Sequence, residues 1–112
     1  MHEHGLADDI LDVLLEFRAR AGATKVASAT VQVSEIAGIT QDALQAALDH
    51  CCEHHQLDPI ALTVEVPGLI AQCHDCEHLV VLDEQVHCTE CGGDRIKLCA
   101  DDAVIVKSCE CA

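Results

Sequence analysis

Two Cys-x-x-Cys pairs, Cys73/Cys76 and Cys88/Cys91, stand eleven residues apart. A Cys-x-x-Cys turn aims both thiolates at one cation, so two such turns close a tetrahedron around it. The separation is shorter than the roughly 15–20 residues common between such pairs, and a tight hairpin through Val80 to Gln85 would span it. Gly92-Gly93 supplies backbone freedom where the second turn reverses. Four thiolates leave no open coordination position, so the site is structural rather than hydrolytic, with Zn(II) the expected ion and iron its main rival. His74, His78 and His87 crowd the same segment. Such imidazoles are ordinarily just solvated, but imidazole also suits zinc, and His78 or His87 could replace a thiolate if the ligand set exchanges. A redox use of the pairs fits poorly, because no βαβ pattern precedes either.

The start of the chain, Met1-His2-Glu3, is a second place where chemistry is possible. A free α-amine, the His2 amide nitrogen once deprotonated and the His2 imidazole form adjacent chelate rings in one plane, a set suited to square-planar Ni(II) or Cu(II). The plain alternative is an exposed tail. His4, two residues beyond His2, could reach the same cation, and Glu3 serves equally well as a carboxylate at the positive end of a helix. A third concentration is His50, Cys51, Cys52, His54 and His55. Its cysteines read as small buried hydrophobes, and its histidines one turn apart could grip a metal, though two alone make a weak site. Cys109 and Cys111 read as core fillers of a closing strand whose burial would hide them from soft metals; Cys99 has no assignment.

The elements that must carry these groups follow from periodicity. Leu6 to Arg20 places Leu6, Ile10, Val13, Leu14 and Phe17 on one helical face before Ala21-Gly22. Lys25 to Ser34 is β-branched and suits a strand ending near Glu35, after which Gly38 breaks the chain. Thr40 can N-cap a second helix with Leu44, Ala47, Leu48, Cys51 and Cys52 inward, fraying near Gln56. Ile60, Leu62, Val64 and Val66 alternate as a strand that Pro67-Gly68 ends. From Ala71 to Cys99 the periodicities vanish, which marks an inserted module with a metal for its core. A strand then returns over Ala103 to Cys111. Residues 1–67 and 100–112 are thus expected to build one domain and residues 68–99 another, joined at Pro67-Gly68 and Asp101-Asp102.

A chain of 112 residues can bury only a modest core. With one aromatic ring, Phe17, that core must be built from Leu, Ile, Val and Ala. Twenty acidic residues against six basic ones give a formal charge of −14, which repels phosphate backbones, so nucleic acid is excluded and cations are the natural partners. No apolar run approaches the roughly 18 residues of a membrane span, and no signal-peptide pattern opens the chain. A cytoplasmic setting is expected, where nine cysteines favour metal ligation over a disulfide framework.

An M-H-E start, a strand ending in Glu35, a helix–strand pair, P-G, C-x-x-C, C-x-x-C-G-G and a closing V-K-S-C-E occur here in one order. That order resembles the HypA/HybF family over essentially the whole chain. The resemblance implies an α+β fold, two helices on a three-stranded sheet, with an inserted four-cysteine zinc-knuckle lobe. It implies a metallochaperone rather than an enzyme. One Ni(II) would be held at the amino terminus by Met1, His2 and Glu3, with His4 beside it, and passed to the large-subunit precursor of a [NiFe]-hydrogenase. A structural Zn(II) would be held by Cys73, Cys76, Cys88 and Cys91. A HypB-type GTPase and, for some members, urease maturation proteins are the implied partners. Some relatives place an acidic residue just before the second helix; Thr40 stands there in this chain, and the role is not transferred to Asp42. The competing expectation is a zinc-ribbon interaction module with an inert amino terminus.

Overall fold

The computed structural model describes residues 2–82, 88, 90–93, 96–98 and 104–112, with side chains for all of these except 2–4 and 98. Helix α1 spans His2–Ala21 and buries Leu6, Ala7, Ile10, Leu11 and Leu14. Val13 and Phe17, expected on that face, are 36 % and 40 % exposed. The second helix, α2 (Gln41–His54), packs against α1 and meets it at Asp8, and the buried stripe of α1 takes in Ala7 and Leu11 while Val13 falls outside it. Thr40 caps α2 by accepting the Ala43 N–H at 3.2 Å. Its buried residues are Leu44, Ala47, Leu48, Cys51 and Cys52, as the period predicts.

These helices cover a sheet of β1 (Val26–Val33), β2 (Ala61–Glu65) and β6 (Val104–Cys111) in the order β2-β1-β6. The β1–β2 pair is parallel, with α2 in the crossover between them, and β6 runs antiparallel to β1. Val26, Ala29, Val31 and Val33 of the central strand are buried under the helices with Ile60 and Leu62. The last strand is therefore an edge strand, and Cys109 and Cys111 are half-buried rather than hidden within the sheet.

Between β2 and β6 the chain forms a second sheet from β3 (Ile70–Cys73), β4 (Leu79–Val81) and β5 (Ile96–Leu98), antiparallel throughout, in the order β4-β3-β5. This corrects the expectation of a module with only a metal at its centre. Val80 is buried against Cys73 and Cys88, with Leu82 and Ile96 packed on them, and Ile70 and Ala71 are fully buried. Strands of three or four residues are too short to display a period. The chain is pinned where it leaves the first sheet. The Ile70 N–H donates to the buried Ser34 Oγ at 3.1 Å, and the Glu35 N–H donates to the Gly68 carbonyl at 2.7 Å. The other expected joint, Asp101-Asp102, lies outside the described residues.

The free edge of β2 is closed by side chains. Gln45 Nε2 donates to the Ile60 carbonyl at 2.9 Å while its Oε1 accepts the Leu62 N–H at 2.8 Å. One turn earlier on α2, Gln41 Nε2 donates to the Leu62 carbonyl at 2.6 Å and its Oε1 accepts the Val64 N–H at 2.8 Å. Two amides thus stand where the peptides of a neighbouring strand would stand, and they block edge-to-edge pairing. Gln45→Ala strands one carbonyl and one N–H, which costs about 1–3 kcal/mol. The expected result in denaturant unfolding is a lower midpoint at unchanged slope; a midpoint equal to wild type would show that water replaces the amide.

Candidate metal centre

The thiols of Cys73, Cys76, Cys88 and Cys91 converge until all four sulfurs lie within 4.8 Å of one another. Cys73 Sγ is 3.5 Å from Cys91 Sγ, and Cys76 Sγ is 3.6 Å from Cys88 Sγ. Zinc–sulfur bonds of about 2.3 Å make a tetrahedron with edges of roughly 3.8 Å, so the thiols stand close to their coordinating positions. Cys73 and Cys88 form the buried floor and Cys91 the exposed rim. The exposed His74 and His78 do not belong to this group of converging ligand atoms, and His87 lies outside the described residues.

The two turns repeat one geometry. The N–H groups of Asp75 and Cys76 point at Cys73 Sγ at 3.3 and 3.5 Å, and those of Glu90 and Cys91 point at Cys88 Sγ at 3.4 and 3.5 Å. Glu77 N–H then donates to the Cys73 carbonyl at 2.8 Å, and Gly92 N–H to the Cys88 carbonyl at 2.9 Å. Both closing residues are left-handed, with φ of 63° at Glu77 and 76° at Gly92. A Cβ at Gly93 would sit 2.7 Å from Asp75 Oδ2, so the exposed Asp75 side chain would have to swing aside, and at an ordinary 3.4 Å from Cys91 Sγ.

These N–H groups favour thiolate sulfur. Those of Cys91 and Glu90 outweigh desolvation and bring the Cys88 pKa down to about 6. At Cys76 the His78 backbone N–H acts in the same direction, but burial and the thiols of Cys88, Cys73 and Cys91 overcome it and push the pKa up to about 12. Cys88 is thus the first to ionise, and its charge holds the proton on Cys76. A divalent cation relieves that conflict, and a closed four-sulfur set gives it a structural role.

Elsewhere the placements differ. Met1 and the side chains of His2, Glu3 and His4 lie outside the described residues; the α1 backbone begins at His2, four residues before the expected Leu6. Glu35 is exposed and opens a short 3-10 turn, Glu35–Ala37. Cys52 is buried by the core, as read from its period. Cys51, also buried, does more: its Sγ donates to Asp8 Oδ1 of α1 at 3.1 Å, and burial followed by that carboxylate pushes its pKa up to about 11. Asp8 was not singled out by sequence reasoning, and only the packing of the helices brings it to Cys51. Cys109 and Cys111 hold their sulfurs 4.0 Å apart beside Phe17 in an open groove. Cys99 lies outside the described residues.

Comparison with known proteins agrees with this architecture. A family model described as hydrogenase/urease nickel incorporation, metallochaperone, hypA, matches residues 1–111. The hydrogenase maturation factor HypA of Streptomyces avermitilis is 36 % identical over 102 residues, covering 88 % of this chain and 77 % of that protein. The hydrogenase maturation factor HybF of Salmonella typhimurium is 23 % identical over 111 residues, 98 % of each. The solution structure of the Ni metallochaperone HypA from Helicobacter pylori matches with a TM-score of 0.66 and 17 % identity, covering 99 % of this chain and 97 % of that one. That last likeness speaks for the fold, two helices with small sheets and a four-cysteine group.

The repeated turns also contain an asymmetry that can be tested. A left-handed backbone costs a residue with a side chain roughly 1–2 kcal/mol, a cost that Gly92 escapes and Glu77 does not. Glu77→Gly removes it and loses about 0.5–1 kcal/mol to added freedom of the unfolded chain. The expected outcome is slower loss of metal to a chelator and a thermal midpoint equal to or above wild type; faster loss would contradict the reading of strain.

Proposed function

The chain belongs to the HypA family of hydrogenase/urease nickel-incorporation metallochaperones, and from that premise we propose that it carries Ni(II) at its amino terminus. Met1, His2 and Glu3 are the assigned nickel residues, with His4 alongside, and the ion's destination is the large-subunit precursor of a [NiFe]-hydrogenase. One observation carries this reading: α1 starts at His2. The first four N–H groups of a helix have no carbonyl partner within it. The His2 amide can therefore lose its proton to a cation without breaking a helical hydrogen bond, while the amine and imidazole complete the chelate. Cys73, Cys76, Cys88 and Cys91 then hold Zn(II) for structure, and the protein transfers an ion rather than catalysing a reaction.

In this reading residues 1–67 and 100–112 form the nickel domain and residues 68–99 the zinc domain. The hydrogenase maturation machinery, with a HypB-type GTPase, and in some settings urease maturation proteins, are the partners. Among the described residues no helix is long and apolar enough to cross a membrane, which suits work in the cytoplasm. The formal charge of −14 favours cation capture and disfavours nucleic acid.

Removing the imidazole or moving the amine should be equally damaging, because the chelate needs both at fixed separation. His2→Ala, or one extra residue before Met1, is expected to abolish nickel delivery and hydrogenase maturation while zinc content and circular dichroism stay unchanged. Lowering the pH should weaken nickel, since amine, amide and imidazole all release protons on binding. Normal hydrogenase maturation in a His2→Ala strain would refute the amino-terminal site and favour the zinc-ribbon interaction module. Separately, Cys73→Ser/Cys76→Ser should leave the protein without zinc and unfold the lobe, read by metal analysis and amide exchange.

A further inference from the structure

We propose that Asp8, His50, Cys51 and His54 form a second cation site between α1 and the last turns of α2, suited to a borderline divalent cation such as Ni(II) or Zn(II). The cleft there is lined by Asp8, His50, Cys51, His54 and His55, every one a metal-ligating residue type. Cys51 Sγ forms its floor at 6 % exposure, and the Asp8 carboxylate reaches over from the facing helix to accept its S–H at 3.1 Å. A cysteine that merely fills a core packs its sulfur on carbon; this one is turned towards an exposed carboxylate.

The two histidines are four residues apart on α2. That is the spacing at which two imidazoles on one helical face hold zinc. At about 100° per residue Cys51 falls within the same arc, three residues before His54, so α2 offers two nitrogens and a sulfur and α1 adds an oxygen. Both imidazoles are exposed; these ligand atoms are not gathered as those of the four cysteines are, so binding would draw the two imidazoles in over Cys51 Sγ. A mixed nitrogen, sulfur and oxygen set suits Ni(II) and Zn(II) better than the hard cations Mg(II) or Ca(II).

Binding balances simply. The Cys51 thiol gives its sulfur lone pair to the cation as the S–H bond breaks. The proton passes to the Asp8 carboxylate that already accepts it, and from there to water as that carboxylate turns to the metal. His4 precedes Asp8 by one turn of α1, a rise of about 6 Å. The site therefore lies on the helix that also carries the proposed nickel residues. Its use as a holding site for nickel rests on the reading above; the binding itself does not.

The test uses the full chain with zinc retained in the four-cysteine site and one extra residue ahead of Met1, which removes the terminal chelate from the measurement. Equilibrium dialysis against Ni(II) should find one bound ion, with a thiolate-to-nickel charge-transfer band in the near ultraviolet. His50→Gln/His54→Gln should weaken binding by at least about ten-fold, the loss that even an outer-shell change can cause, with the far-ultraviolet circular dichroism unchanged. Cys51→Ser should remove the band. The site is refuted if no nickel binds, if the glutamine double variant binds as tightly as its parent, or if the band survives Cys51→Ser.

Discussion

Four sulfurs confined within 4.8 Å cannot all carry charge unless something positive stands among them. The opposed behaviour of Cys88 and Cys76 is that constraint at work: one ionises readily, and the other keeps its proton because the first has ionised. Among the described residues the apolar support around them is small, chiefly Val80, Leu82 and Ile96, so a cation among the sulfurs would add to a small core in holding the turns together. The consequence reaches the first sheet. Its chain leaves β2 at Glu65 and returns in β6 at Val104, so the lobe is also the loop that must close before β6 can pair with β1. A metal cross-link between the two turns would shorten that loop in the unfolded ensemble and lower the entropy cost of closure.

Closure and exchange place opposite demands on metal sites, and the proposed function separates them. The lobe gathers four sulfurs and directs N–H groups at two of them, Cys73 and Cys88, an arrangement suited to retaining a cation. The proposed nickel site at the amino terminus would be an open set at the end of a helix, where the macrodipole is positive and opposes a cation. The acidic residues that follow in the first turns, Asp8, Asp9 and Asp12, offset part of that field and also draw cations in. If the proposed site attracts its ion from a distance and holds it against a local penalty, it would be well matched to handing that ion on.

The parts legible from sequence were those in which the element is longer than its period. Helix α2 presents the same five inward residues that its spacing predicts, and Thr40 caps it, because cap and stripe are local properties. The four-cysteine site was legible because ligand spacing is itself local. Helix α1 shows the limit: its apolar residues fit a stripe through Val13 and Phe17 as well as one through Ala7 and Leu11, and only the position of α2 decides between them. The strands of the lobe escaped notice because three residues carry no period. Asp8 and the two glutamines were invisible for a different reason, since their partners lie 43, 17 and 23 residues away and are chosen by packing.

Helix α2 gathers these long-range choices onto one rod. Its buried stripe, Leu44, Ala47, Leu48, Cys51 and Cys52, is flanked by two polar ones. Gln41 and Gln45 lie on the flank towards β2 and complete its edge, while His50 and His54 lie on the flank towards α1, with Cys51 at the boundary bonded to Asp8. The glutamine flank needs amides, because each group must donate and accept at once to match a strand. A carboxylate there would leave a carbonyl without a donor, and a lysine would leave an N–H without an acceptor. The opposite flank needs groups that give lone pairs, which imidazole, thiolate and carboxylate do. Residue chemistry along α2 therefore follows what each flank faces, backbone on one side and a polar cleft on the other, while the stripe between them holds the helix in register for both.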